Sequence, residues 1–173
     1  MSHVELVTPI SQVSTPTGFR DFMAGFPSGV AVVTAIDAQG RPWGMTCSSL
    51  CSVTLDPPTL LVGMRLESPT LRAVMLSGSF AVNLLHHKGQ ATAELFASGA
   101  PDRFETTPWH TPEEATGPHL SRDAHAVADC RVRQSVRVGG QRMVFGEVLR
   151  ISGPTDEPPL LYGNRRFGVW PTG

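Results

Sequence analysis

Residues 46–52 read Thr-Cys-Ser-Ser-Leu-Cys-Ser, a run of small hydroxyl and sulfur side chains set between two apolar stretches within residues 44–64. A surface loop would carry charge there, and a core strand would carry bulk. Small side chains instead let main-chain N–H and C=O groups approach a flat ligand with a polar edge. A slot for such a ligand forms where Pro27, Ser28, Gly29 and Val30 face Thr46, Cys47, Ser48, Ser49 and Leu50. A second kind of chemistry sits at Ser68-Pro69-Thr70, where the pattern opens a helix. The free N–H groups of a helix start, its dipole and the two hydroxyls favour an anion. The nearest cations in sequence are Arg65, Arg72 and Arg103.

Other chemistries lack their residues. There is no Gly-x-Gly-x-x-Gly turn, no Gly-x-x-x-x-Gly-Lys phosphate loop and no Gly-x-Ser-x-Gly elbow. Cys47, Cys51 and Cys130 are odd in number and form no Cys-x-x-Cys pair, so reduced thiols in a cytoplasmic setting are expected. Cys47 and Cys51, four apart, are expected on one strand face as small apolar fillers rather than a redox pair. Among six histidines, the adjacent His86 and His87 point to opposite faces of a strand. His119 and His125 would need a carboxylate to make a metal site, and no ligand spacing supports one. The only lysine is Lys88, so a phosphate held by a side-chain cation is held by arginine.

The elements that must position these groups follow from periodicity. Phe19, Phe22, Met23 and Phe26 make one helical face. Residues 30–36 form a buried β-branched strand, and residues 43–53 return as its hairpin partner. Residues 59–64 are a third strand. Ser68 caps a helix with Pro69 at its first position and Gly78 at its end, and Leu71, Val74 and Met75 give its buried stripe. Residues 80–85 are a strand, 89–98 a second helix, and 102–120 a long loop packed over something. Residues 127–138 and 143–151 form a long hairpin about Gly139-Gly140, and the tail from 158 to 171 is strand and loop.

Strands in quick succession with short inserted helices predict a mainly β fold, a β-barrel with short helices rather than a βαβ sheet. At 173 residues the chain reads as one domain, residues 18–173, behind a flexible arm at 1–17. With a net charge of −1, nothing steers it toward nucleic acid or an anionic membrane. No apolar run reaches the ~20 residues of a membrane helix, and no signal peptide is evident. A low charged fraction, 17%, hints at surface covered in an oligomer.

Taken in order, the motifs resemble the flavin reductase family. The carriers are Pro27-Ser-Gly-Val-Ala-Val-Val-Thr34, Thr46-Cys-Ser-Ser-Leu-Cys-Ser-Val-Thr-Leu-Asp-Pro-Pro58, Ser68-Pro-Thr70 and Phe80-Ala-Val-Asn83. They are followed by Asp102-Arg-Phe104, Gly146-Glu-Val148 and Pro159-Leu-Leu-Tyr-Gly-Asn-Arg-Arg-Phe-Gly168. The resemblance implies an FMN-binding split barrel, a homodimer, and reduction of FMN or FAD by NADH or NADPH. Reduced flavin would pass to a separate monooxygenase. It also implies flavin contacts from Ser52, Asn83, Arg103, Phe167 and Gly168 beside the slot and helix residues already named.

One departure stands out. The family carries Gly-Asp-His before Gly-Glu-Val, and this chain has Gly139-Gly140-Gln141. Gln141 can donate a hydrogen bond and so position a carboxamide, but it cannot carry charge. The alternative reading is a flavin-binding split barrel whose reductase step is weak or lost.

Overall fold

The computed structural model describes residues 14–153 and 155–170. In chain order the elements are α1 (Pro16–Ala24), β1 (Ser28–Gly29), β2 (Ala31–Ile36), β3 (Pro42–Cys47), β4 (Leu50–Leu55) and β5 (Pro58–Arg65). Then come α2 (Pro69–Ser77), β6 (Ser79–Leu85), a 3-10 turn (His87–Gly89), α3 (Gln90–Ser98) and α4 (Arg103–Thr106). The chain ends with β7 (Ala124–Val138), β8 (Gln141–Ser152), β9 (Leu160–Gly163) and β10 (Arg166–Val169).

Seven strands pair in the order β3-β2-β6-β7-β8-β5-β4, all antiparallel, and curl so that β3 and β4 become the two margins. Residues 48–49 connect those margins. At that crossing the Gly63 N–H donates to the Ser49 carbonyl at 2.9 Å, and the Cys47 Sγ lies 3.6 Å from the Gly63 carbonyl. The barrel is therefore drawn together at one end and split along the rest. The hairpin partner read as one strand over 43–53 is in fact two strands: Ser48 and Ser49 are exposed and leave one margin for the other. The same break overturns the shared face expected for the cysteines. Cys47 is a buried filler, whereas Cys51 lies exposed on β4.

β2 is buried on both sides because its neighbours cover both. Ala31, Val33 and Ala35 enter the barrel core with Val62, Met64, Phe80, Val82 and Val144. Val30 and Val32 face a second core with Phe96, Leu120 and Leu160. Period-two alternation thus feeds two apolar layers from one strand. The barrel core is tight enough to require glycine at 146, where a Cβ would stand 2.4 Å from the Phe80 ring.

α2 forms as the sequence signals dictate. The Ser68 Oγ accepts from the Leu71 N–H at 3.4 Å, Pro69 opens the helix, and Gly78 closes it with φ +70°. Leu71 and Val74 are buried, but Met75 is 40% exposed, since the helix rests on the sheet along a narrower stripe than expected. α1 starts at Pro16, two residues inside the stretch expected as an arm. Its Asp21 pairs with Arg165, and its Ala24 carbonyl accepts from the Asn164 N–H at 2.6 Å. Residues 1–13 of the expected arm lie outside the described residues.

The long loop packs over β2 and β6. Asn83 is its anchor: the side-chain amide donates to the carbonyls of Val32 and Pro118, both at 3.2 Å, and its oxygen accepts from the Leu120 N–H at 2.8 Å. The buried His119 sits 3.2 Å from Asp129, which also accepts from the Thr116 N–H. Among the described residues no helix is long and apolar enough to cross a membrane.

Candidate functional site

β3 turns out of the barrel beside the start of α2, and α3 closes the other side. The cavity between them holds about 370 Å³ and is lined by Thr46, Arg65, Ser68, Thr70, Phe96 and Arg103, among others. Four residues chosen from sequence therefore meet here: Thr46, Ser68, Thr70 and Arg103. Local chemistry explains each position. Thr46, near the end of β3, donates to the Ala93 carbonyl at 2.6 Å, tying the strand to α3. Gly44 lets the strand approach, because a Cβ there would lie 2.7 Å from the Phe96 ring. Ser68 caps α2 and its hydroxyl lies 3.3 Å from the Met45 Sδ.

Two polar atoms in this lining are buried without a hydrogen-bond partner among the described residues: the Thr70 Oγ1 and the Arg103 Nε. Thr70 is 1% exposed and Arg103 is 7% exposed. Among the described residues the guanidinium makes one internal bond, from Nη1 to the Ala100 carbonyl at 2.8 Å, and pairs with no carboxylate. Burial draws its pKa below the ordinary arginine value. A buried cation without a counter-charge is costly, and an anion relieves it. At the start of α2 Pro69 has no N–H and those of Leu71 and Arg72 bond Ser68, which leaves the Thr70 N–H beside its hydroxyl and Arg103 as the donors in this lining, a set that fits a phosphate. The exposed Glu67 stands at the rim.

The ring-slot residues fall at the adjoining end of the barrel. Ala31 pairs with Cys47, so Gly29 and Val30 emerge beside Ser48 and Ser49. Gly29 has open space where a Cβ would point. Ser28 and Gly29, just after Pro27, form the margin of a small sheet, β1-β9-β10, which also carries Phe167 and Gly168 opposite Tyr162 and Leu161. Phe167 packs on the second core beside Val30. Leu50 is half-buried at the start of β4, and Ser52 is exposed on it. Burial raises the pKa of the Cys47 thiol and keeps it protonated.

Two choices fall elsewhere. Asn83 is fully buried and its amide is spent on the loop, so it does not reach the cavity. Gln141 opens β8 as the register partner of Arg65, one residue removed from the cavity wall. Sequence reasoning passed over Gly44, Met45, Phe96 and Gly99 as lining. Only Gly44 gave a signal, being a glycine inside a strand pattern.

A split barrel with a buried, anion-seeking cleft at its seam defines the class. The Flavin reductase like domain model matches residues 23–171. A Flavin reductase (NADPH) of Lentzea aerocolonigenes is 51% identical over 156 residues, covering 90% of this chain and 91% of that one. A Flavin reductase (NADH) of Kitasatospora aureofaciens is 39% identical over 88% of this chain and 81% of its own. The solved NADH:FAD oxidoreductase SgcE6 of Streptomyces globisporus C-1027 superposes with a TM-score of 0.84 at 27% identity, over 95% of this chain and all of that one. The chain belongs to the flavin reductase family.

Proposed function

We infer that the protein is an NAD(P)H-dependent flavin reductase that hands reduced flavin to a separate monooxygenase. The observation that carries this is the cleft where α2's N-terminus, the unpartnered Thr70 hydroxyl and the unpaired, buried Arg103 meet. That set suits the phosphate of a flavin nucleotide, with the ring lying along β3 toward residues 47–50 and against residues 27–30. The similar proteins named above act on flavins with reduced nicotinamides, and a Rhodococcus jostii relative is the reductase subunit of a flavin-dependent monooxygenase.

When bound, the flavin accepts a hydride directly from a reduced nicotinamide, so no side chain has to break a bond. The protein's work is placement. Backbone groups of residues 46–50 and 27–30 orient the ring edge, and Ser68, Thr70 and Arg103 fix the phosphate. Gln141, next to Arg65, serves as a positioning donor toward the incoming nicotinamide.

The working unit is a homodimer. Its support is α1, which has no buried residue and shows Phe19 at 57% and Phe22 at 75% exposed, with Phe26 just beyond it at 67%. A second copy is the simplest cover for such a face. Three free cysteines suit the reducing cytoplasm. The test is steady-state oxidation of NADH and NADPH with FMN or FAD added, beside sedimentation velocity. Flavin-dependent turnover by a dimer is expected. Flavin binding with no turnover overturns the reductase reading.

A further inference from the structure

A buried guanidinium without a counter-charge gains by swinging out to water, and an arginine side chain is long and pliant enough to do so. Arg103 nonetheless stays 7% exposed, tethered among the described residues by one hydrogen bond to the Ala100 carbonyl. The helix that carries it, α4, is too short to confine it. α4 has four residues, and its N-cap, Asp102, makes no side-chain capping bond. A single turn of this kind is marginal by itself. The confinement of Arg103 therefore comes from outside α4.

Its source lies just past the end of that helix. We propose that Trp109 is a positioning residue for Arg103: it clamps Phe104, and so fixes the guanidinium in the cleft before any ligand arrives. The proposal rests on the reading above that the cleft receives a flavin phosphate. In a continuing helix the Phe104 carbonyl would accept from the N–H four residues on, but that residue is Pro108, which has none. The Trp109 indole takes its place, with Nε1 donating to the Phe104 carbonyl at 3.0 Å. The same indole lies edge-to-face on the Phe104 ring, with centroids 5.8 Å apart and planes at 81°. Phe104 meets Phe96 of α3 in the same manner, at 5.0 Å and 88°. Its tip reaches β3, where a Cβ on Gly44 would stand 3.0 Å from the ring. One tryptophan thus holds both the carbonyl and the ring of Phe104, and Arg103 shares a peptide bond with it. Phe96 and Gly44 line the cleft beside Arg103, whereas Trp109 is not part of that lining. Its effect on a ligand there runs through Arg103, and so concerns the phosphate alone.

Isothermal titration calorimetry of the full chain with FMN and riboflavin, beside thermal melting, tests this. Trp109→Phe keeps an aromatic ring against Phe104 and removes the Nε1 donor. FMN is expected to bind about three- to tenfold more weakly, the span of one lost hydrogen bond. Riboflavin, which has no phosphate, should bind as it does to the unmodified chain. In an Arg103→Met background the same substitution should cost no further FMN affinity, because two residues acting through one group do not add. A tryptophan that merely packs would lower the melting temperature and leave the ratio of FMN to riboflavin affinity untouched. Phe104→Leu removes the edge-to-face stack and should show the same FMN-selective loss; it carries the test where Trp109→Phe does not fold. An unchanged ratio, equal weakening of the two flavins, or a full additional loss on top of Arg103→Met overturns the assignment. Failure of the unmodified chain to bind FMN defeats the flavin reading itself, a result the first titration shows on its own.

Discussion

Arg103→Met is the perturbation that speaks most directly to the cleft. Methionine matches the apolar stem of the side chain as far as Nε and removes the guanidinium with its charge. In the wild-type chain the guanidinium is 7% exposed, bonded internally only to the Ala100 carbonyl, and unpaired at Nε. A hydrogen bond to a charged group contributes about 1.5–3 kcal/mol. At about 1.4 kcal/mol per tenfold, FMN and FAD should bind roughly 10- to 100-fold more weakly. Riboflavin, which has no phosphate, should bind as before. The ligand-free chain should move the other way. Losing an uncompensated buried charge stabilises it by at least about 1 kcal/mol, which raises the melting temperature by about 2–4 °C in a chain of this size. Calorimetric titration with the three flavins and thermal melting of the ligand-free variant read both effects. The reasoning fails when riboflavin and FMN are weakened equally, because the guanidinium is then shaping the cavity rather than meeting an anion. It fails equally when the ligand-free variant melts lower.

Asn83→Ala should cost about 1–3 kcal/mol in urea unfolding, because the buried Leu120 N–H loses its partner while the Pro118 carbonyl keeps the Thr34 hydroxyl, and flavin affinity per folded molecule should stay the same. Gly146→Ala should destabilise by about 1–3 kcal/mol through the clash with Phe80, seen as a lower denaturation midpoint at constant slope. Gln141→His should raise the turnover rate, and an unchanged rate would remove the positioning role given to that residue. Asp37 is held at a pKa of about 2, below its usual 3.8, chiefly by the Trp43 hydrogen bond and also by bonds from residues 39 and 41. Its folded-state value is depressed, so its contribution is present above pH 4 and fades as pH falls toward 2. Asp37→Asn should flatten the acid limb of the stability curve in that window, measured by melting between pH 2 and 5.

Much of the frame was legible because local rules and tertiary packing agree here. α2 carries its own start and stop in Ser68, Pro69 and Gly78, and the β7–β8 hairpin turns at Gly139-Gly140 as read. The division of residues 43–53 was not legible, because Ser48 and Ser49 can continue a strand and are pulled out of it only by β5 arriving at Gly63. Asn83 was chosen through the resemblance alone, and no local pattern announces that the loop over 117–120 claims its amide. The anion end of the cleft was half visible: Ser68 and Thr70 are neighbours in sequence, whereas Arg103 comes from α4 and meets them only through the fold.

β4 has a free flank. Among the described residues it hydrogen-bonds to β5 on one side only; it carries no charged residue between Leu50 and Leu55 and leaves Leu55 87% exposed. A neutral, uncovered strand margin is an adhesive. Production of this protein in quantity is therefore governed by that margin as much as by its melting point. One lysine in place of the exposed Val53 would serve as a gatekeeper, keeping concentrated stocks clear.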